Sequence, residues 1–269
     1  MIDRVYNEVL YISYSRFFDL PIPWNAAEVY ETACKSGFDG IKGDVQPTAD
    51  GKLIMCHYGE FRFDENGRVL EFRRQQCASE KKICDMTYNE CKRLEFASEE
   101  IKEHLGYYPN VSGLEDLIRV CHNNSKFPYI TVRDEQIEVV VNEIFRLLEK
   151  YNMTKQCIIN SFNYETLKAV RDRDADICIS HVQRRNAPLT KEMIDTAASL
   201  GNCVVCAFWA MDMPEILDDM YEKSKDAIAY AKEKNVPLHL AQVSNTEDLK
   251  LGIKRGFTGF QCRSSHCIL

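Results

Sequence analysis

Short apolar runs alternate with amphipathic segments along most of the chain. The apolar runs have the length and residue types of buried strands and recur eight times, at Val9–Ser13, Gly40–Val45, Tyr129–Val132, Cys157–Ser161, Ala175–Ser180, Cys203–Phe208, Pro237–Val243 and Thr258–Cys262. Helical spacing of apolar residues occurs between them, at Ala26–Lys35, Leu114–Cys121, Gln136–Tyr151, Tyr164–Arg173, Lys191–Leu200, Ile216–Lys234 and Thr246–Arg255. Such alternation is typical of repeated βα units around a parallel sheet. Eight units predict an α/β fold of the (β/α)8 TIM barrel type.

One long segment interrupts this alternation after the second strand. Residues 46–112 are rich in charge and in turn signals such as "PTADGK" and "DENG". Because long segments without structure of their own are uncommon in compact domains, they predict a small insertion subdomain with a hairpin and one or two short helices. We expect it within a single barrel domain that spans residues 1–269. An insertion after a barrel strand lies at the C-terminal face, where barrel ligands bind.

The segment "GIKGDVQPTADGKLIMCHYG" at residues 40–59 brings three chemical groups together. Lys42 and Asp44 stand two apart in a predicted strand, so their side chains point to the same side. The hairpin that follows returns the chain and places His57 nearby. An ammonium, a carboxylate and an imidazole are therefore predicted to meet at one end of the barrel.

The amino-acid composition is typical of a globular protein and argues against several other classes. Apolar residues make up 45% and charged residues 28% of the 269 residues, which is ordinary for a globular protein. A net charge of −7 and the lack of basic runs interleaved with aromatics argue against a nucleic-acid partner. The longest apolar stretches fall well short of the roughly twenty residues of a membrane-spanning helix, and the first residues lack a signal-peptide pattern. We therefore expect a cytoplasmic protein without a transmembrane segment.

The cysteines fit the same expectation. Twelve are scattered along the chain, mostly in apolar segments, which predicts free buried thiols in a reducing compartment. Cys203 and Cys206 have C-x-x-C spacing, but they lie within the apolar run "NCVVCAFWA" and no second pair follows at zinc-ribbon spacing. This favours buried thiols over a zinc site.

Several segments together resemble the glycerophosphodiester phosphodiesterases. They are "ISYSR", "GFDGIKGDVQPTADGKLIMCHYG", "CDMTYNECKRLEF", "VSGLEDLIRVC", "YITVRDE", "CIINSFNYETLKAVR" and "LKLGIKRGFTGFQCRS". The resemblance implies a barrel with an insertion after the second strand and a place in lipid metabolism. It also implies a mechanism in which carboxylates hold a divalent ion such as Mg²⁺ or Ca²⁺, two histidines act on a phosphodiester, and an arginine and a lysine bind its oxygens.

Most residues that the family uses are replaced at the matching positions. The opening His-Arg pair falls on Ser15 and Arg16, and the acidic residue that follows falls on Trp24. The Glu-x-Asp pair of the second strand falls on Lys42 and Asp44. One histidine and two carboxylates of the pattern are thus absent.

At the remaining positions one more carboxylate is replaced, while a histidine and a cation are kept. His57 matches the second histidine, and Thr131 and Arg133 stand where the family has Glu-x-Lys. The resemblance leaves these candidates: His57 and Arg16 as catalytic residues, Arg16, Lys42 and Arg133 as phosphate ligands, and Asp44 as the metal ligand only if a metal is bound. Mg²⁺ and Ca²⁺ are usually held by more than one protein oxygen. We therefore expect no cofactor, and a divalent cation only if the chain is an enzyme.

Three explanations of this pattern remain open. In the first, the ammonium of Lys42 takes the place of the ion, and Arg16, Lys42 and Arg133 bind a phosphate-bearing or anionic small molecule in a pseudoenzyme with little or no hydrolysis. In the second, the chain is an active phosphoric diester hydrolase that uses His57 and an altered metal site. In the third, the pair of Lys42 with Asp44 is kept for packing alone.

Different observations favour each explanation. An anion on the three cations favours binding, a direct ion pair with no cavity favours packing, and a divalent ion on Asp44 favours the enzyme. Asp134 and Glu135, just past the third strand, are the candidate substitute ligands for such an ion. The sequence leaves the ligand's head group and the oligomeric state open.

Overall fold

The computed structural model describes residues 1–71, 75–133, 136–209 and 214–268, and at residues 214 and 215 it describes the backbone alone. The strands are β1 (Leu10–Ser13), β2 (Gly40–Pro47), β3 (Leu53–Met55), β4 (Glu60–Phe63), β5 (Ser79–Lys82), β6 (Phe127–Val132), β7 (Ile158–Ser161), β8 (Cys178–Val182), β9 (Cys203–Ala207), β10 (Leu238–Val243) and β11 (Gly259–Cys262). The helices are α1 (Ile2–Asn7), α2 (Ala27–Lys35), α3 (Tyr88–Lys92), α4 (Glu99–Leu105), α5 (Leu114–Asn123), α6 (Ile137–Lys150), α7 (Tyr164–Arg173), α8 (Lys191–Leu200), α9 (Pro214–Glu233) and α10 (Thr246–Lys254).

Eight of these strands form a closed parallel barrel. Their order is β1-β11-β10-β9-β8-β7-β6-β2, and the pairing of β1 with β2 closes the sheet. Helices lie between successive barrel strands along the chain and bury their apolar faces against it, as Leu117 and Ile118 of α5 do. The predicted (β/α)8 barrel is confirmed.

Residues between β2 and α5 form additional structure on the barrel. β3 pairs antiparallel with β2, and β4 and β5 form a separate two-stranded sheet. A small apolar cluster of its own, which includes Phe61, Ile83 and Phe96, holds this region together. A capping box at Thr87 and Glu90 begins the short helix α3.

Two elements differ from the sequence prediction for identifiable reasons. The fifth barrel strand begins at Cys178 rather than at Ala175. The carboxylate of Asp174 accepts hydrogen bonds from the backbone N–H groups of Asp176 and Ile177, at 2.7 and 3.1 Å, which makes this stretch a turn. The sequence also gave no sign of α1, which buries Val5 in one cluster with Leu10 at the N-terminal end of the barrel.

The C-terminal residues pack beside α2 and α10 after the last barrel strand. The carboxylate of Asp19 accepts hydrogen bonds from the hydroxyls of Ser264 and Ser265, each at 2.9 Å. Cys267 is buried and directs its thiol to the carbonyl of Asn245, just before α10. All twelve cysteines are free thiols. Within the described part of the chain, no helix combines the length and the apolar character needed to cross a bilayer.

Candidate functional site

The alternation of β2 separates its apolar and charged residues. Ile41 and Val45 point outward and pack in the main hydrophobic cluster between barrel and helices. Lys42 and Asp44 point into the barrel, as expected for residues two apart in a strand. The register of β2 on β6 places Asp44 opposite Thr131. Both charged side chains therefore lie inside the barrel near its C-terminal end.

Three cationic or ionisable groups surround the carboxylate of Asp44. Lys42 Nζ lies 2.9 Å and Arg133 Nε 3.1 Å from the same oxygen, Oδ1. His57 Nδ1 lies 3.3 Å from the other oxygen, Oδ2. The structure thus brings together Lys42, Asp44, His57 and Arg133, which are separated by up to 91 positions in the sequence.

The carboxylate is buried and ionised in this setting. The Asp44 side chain is 0% exposed and that of Lys42 is 4% exposed. Burial alone raises the pKa of a carboxyl group, but the charges of Lys42 and Arg133 and the contact with His57 outweigh it and hold the pKa of Asp44 well below its usual range. The backbone N–H of Asp44 donates to Asn25 Oδ1 at 2.9 Å, which fixes the strand at this point.

Lys42 has a second partner that the sequence reasoning missed. Its Nζ lies 4.7 Å from the centroid of the Tyr14 ring, a cation–π distance. Tyr14 directly follows β1 and stands two positions after the inward-facing Ile12, so both side chains point into the barrel; this spacing is the signal that could have identified it. The ammonium is therefore held between a carboxylate and an aromatic face.

Arg16 contacts a carboxylate other than Asp44. Its Nη1 lies 3.3 Å from Glu71 Oε1, and its guanidinium carbon lies 5.2 Å from the ring centroid of Phe18 and 5.9 Å from that of Trp24. Glu71 also accepts a hydrogen bond from the backbone N–H of Trp24 at 2.9 Å. Burial raises the pKa of Glu71, an effect that the charge of Arg16 partly offsets. Sequence reasoning missed Glu71 because it belongs to the insertion and nothing local marks it.

Aromatic rings enclose the imidazole of His57. The rings of Trp24 and Tyr58 approach it edge to face, each with a centroid distance of 4.9 Å. The His57 side chain remains 19% exposed. An imidazole oriented by a carboxylate and partly open to solvent can accept or donate a proton.

A small cavity opens above Lys42 at the C-terminal mouth of the barrel. Lys42, Arg133, Thr131, Asn160, Phe162 and Phe208 contribute to its walls. Its space is about 250 Å³ when the opening to solvent is included, but only about 10 Å³ holds the centre of a water molecule. That is roughly the volume that one water needs. The enclosed part of the cavity therefore admits no more than about one water molecule.

The donors at the mouth do not suit a divalent ion that prefers oxygen ligands. Asp44 is the carboxylate of the cluster; Lys42 and Arg133 contact its Oδ1, and the imidazole of His57 contacts its Oδ2. Among the described residues, no group of three or more His, Cys, Asp or Glu side chains is placed to hold a metal ion. Asp134 and Glu135, the candidate substitute ligands, lie outside the described residues. One carboxylate beside an ammonium and a guanidinium repels a cation.

Comparison with known sequences gives a consistent result. A profile of the glycerophosphoryl diester phosphodiesterase family matches residues 21–261. A curated glycerophosphodiester phosphodiesterase from Caldanaerobacter subterraneus is 25% identical over 158 residues, which are 56% of this chain and 57% of that protein. The match therefore spans little more than half the length of this relative. An uncharacterised protein, YqiK of Bacillus subtilis, is 22% identical over 88% of each chain.

Solved structures share the fold at low sequence identity. A glycerophosphoryl diester phosphodiesterase structure from Silicibacter pomeroyi aligns with a TM-score of 0.76 at 16% identity, over 96% of this chain and 91% of that one. A phosphodiesterase from Oleispira antarctica, solved in complex with the product sn-glycerol-3-phosphate, aligns with a TM-score of 0.73 at 13% identity, over 96% and 95% of the two chains. These likenesses extend to the whole barrel.

Proposed function

This chain belongs to the glycerophosphoryl diester phosphodiesterase family. Because Lys42 holds an ammonium where the family pattern has a carboxylate, we propose that the protein binds its ligand without hydrolysing it. The ligand is a phosphate-bearing or otherwise anionic small molecule at the C-terminal mouth of the barrel. Hydrolysis of diesters is weak or absent. The protein acts in the cytoplasm on compounds of lipid metabolism.

The observation that carries this proposal is that two cations share one carboxylate oxygen. Lys42 and Arg133 both contact Oδ1 of Asp44, so among the described residues of this cluster one positive charge is in excess before His57 is considered. An ion pair kept for packing alone needs only one cation for one carboxylate. A second cation in a largely buried site costs desolvation free energy, and a bound anion offsets that cost.

The ligand chemistry follows from the residues at the rim. Arg133 uses Nε on Asp44 and is 25% exposed, so its outer guanidinium edge can receive a phosphate in a bidentate contact. The glycerol phosphate seen in the Oleispira protein supports a ligand of this kind. Efficient hydrolysis is disfavoured because Ser15 replaces a histidine of the family pattern and an ammonium lacks the Lewis acidity of a metal ion.

One observation favours a second candidate, an active phosphoric diester hydrolase. The contact between His57 Nδ1 and Asp44 Oδ2 is the arrangement in which a carboxylate orients an imidazole for proton transfer. In this candidate His57 carries the acid–base step, and Arg133 and Lys42 neutralise the diester. Arg16 takes part in this candidate if it binds the diester in addition to Glu71.

The test separates binding from turnover. We expect calorimetry to detect binding of sn-glycerol 3-phosphate and of inorganic phosphate to the wild type, and at least a tenfold loss in Arg133→Gln, which corresponds to about 1.4 kcal/mol. Arg146→Gln is the matched control, because Arg146 makes an ion pair on the exposed face of α6. Turnover of glycerophosphocholine with Mg²⁺, Ca²⁺ or Mn²⁺ that stops in chelator or in His57→Ala would establish the hydrolase. No binding and no turnover would leave packing as the role of the pair.

A further inference from the structure

The loop after β8 carries two arginines that lie outside the cluster around Asp44. Arg184 and Arg185 follow Val182, a residue that lines the cavity at the mouth, and both are exposed. Neither guanidinium makes an ion pair with any residue in the described ranges, whereas Arg16 and Arg133 do. In a chain with a net charge of −7, two adjacent arginines beside the mouth cavity that have no ion-pair partner among the described residues are an unusual local concentration of positive charge.

Aromatic contacts connect this loop to Arg133. The guanidinium of Arg185 lies 5.9 Å from the ring centroid of Phe208, and that of Arg133 lies 5.5 Å from the ring centroid of Phe162. The two phenylalanines contact each other edge to face, with centroids 6.1 Å apart. A pair of aromatic rings therefore separates two guanidinium groups, and both rings line the mouth cavity.

These ring contacts position Arg133 and Arg185 to bind a ligand. A guanidinium stacked on a phenyl face keeps its N–H edge free for hydrogen bonds in the plane of the group. The aromatic pair between them offers an apolar surface and no donor. A ligand that matches this surface has an acidic group at each end and an uncharged spacer between.

We infer that Arg184 and Arg185 form a second anion subsite at the mouth, and that the natural ligand is a small organic molecule with two acidic groups. This inference rests on the proposed binding function. Its phosphate lies on Arg133 near Lys42, its spacer crosses Phe162 and Phe208, and its second phosphate or carboxylate lies on the two arginines of the loop.

Matched ligand pairs test the inference. In each pair only the second acidic group differs: sn-glycerol 3-phosphate against L-3-phosphoglycerate, which has the same configuration at C2, and fructose 6-phosphate against fructose 1,6-bisphosphate. We expect the doubly acidic member of at least one pair to bind the wild type about tenfold more tightly in calorimetry at fixed ionic strength. The two pairs also separate a carboxylate from a phosphate at the second position and a short spacer from a long one.

A double variant identifies the residues. In Arg184→Gln/Arg185→Gln the ratio of the affinities of the doubly and the singly acidic ligand is expected to fall to about one. The affinity for sn-glycerol 3-phosphate should stay unchanged. Lys223→Gln/Lys225→Gln removes the same charge from the exposed face of α9 and should keep the preference. If the wild type binds both members of each pair equally, or if the preference survives in the arginine variant, the second subsite is overturned while the binding function stands. If neither member of any pair binds, the binding function itself fails and the subsite fails with it.

Discussion

Lys42 Nζ lies 2.9 Å from Asp44 Oδ1, and the two side chains are buried together at the mouth of the barrel. In the family pattern these two positions carry two carboxylates. In the proposed function, a single substitution to lysine replaces an external cation with one that is part of the chain. The four predictions below test what this pair and the buried groups around it do.

Removing the carboxylate should destabilise the protein more than removing the ammonium. Asp44→Ala leaves Lys42 and Arg133 without their shared counter-ion, whereas Lys42→Met leaves Asp44 with Arg133 and His57. Uncompensated buried charge of this kind costs about 3–5 kcal/mol. We expect Asp44→Ala to reach that range and Lys42→Met to lose less, as measured by urea unfolding. The reverse order would show that Lys42 dominates the stability of the cluster.

The Asp44 carboxylate should make stability depend on pH in the acid range. Its pKa in the folded protein is well below the value of about 3.9 of an unfolded aspartate. As the pH falls, the unfolded state therefore binds the proton before the folded state does. The contribution of Asp44 to the free energy of unfolding is complete above about pH 4 and is lost as the pH falls through the pKa of Asp44 in the folded protein. Unfolding free energies between pH 5 and pH 2 measure this loss. In Asp44→Asn the fall of the unfolding free energy at low pH should become smaller. The same dependence on pH in the variant and the wild type would contradict this prediction.

His239 should also make stability depend on pH, in a higher pH range, because it is buried as a neutral base rather than as a charged acid. It is fully buried inside the barrel, and burial lowers its pKa to about 3 from 6.5. The folded state keeps the neutral imidazole while the unfolded state binds a proton below about pH 6.5, so stability falls as the pH drops from 6.5 toward 3. The full effect is of the order of 5 kcal/mol. His239→Gln should flatten the profile in this range, and Asp44→Asn should leave that part intact.

Restoring two carboxylates should create a metal site. In Lys42→Glu/Thr131→Glu the new side chains join Asp44 on β2 and β6, whose register places Asp44 opposite Thr131. We expect the variant to bind Mn²⁺ in calorimetry with at least tenfold higher affinity than the wild type, because hard cations need several oxygen ligands. Thr131→Glu alone keeps Lys42 and is the control. Equal Mn²⁺ affinity in all three proteins would mean that the position of Lys42 is not that of the family's ion.

The sequence predicted the barrel because its signals are local. Periodicity of two in the strands and of 3.6 in the helices is set by backbone geometry, so eight alternations were visible without any tertiary contact. The same periodicity placed Lys42 and Asp44 on one side of β2. Where a turn depended on a side chain, as at Asp174, the predicted strand began three residues too early.

The sequence by itself thus determined the (β/α)8 fold and the inward position of Lys42 and Asp44, and its resemblance to the family predicted that carboxylates of the family pattern are replaced. Only the tertiary structure decided that Lys42, Arg133 and His57 share one carboxylate, and that Arg16 contacts Glu71 instead. These partners come from different strands and from the insertion, and their pairing depends on distances across the barrel. Spacing along the chain carries no information about such distances, because closure of the sheet sets which strand ends meet.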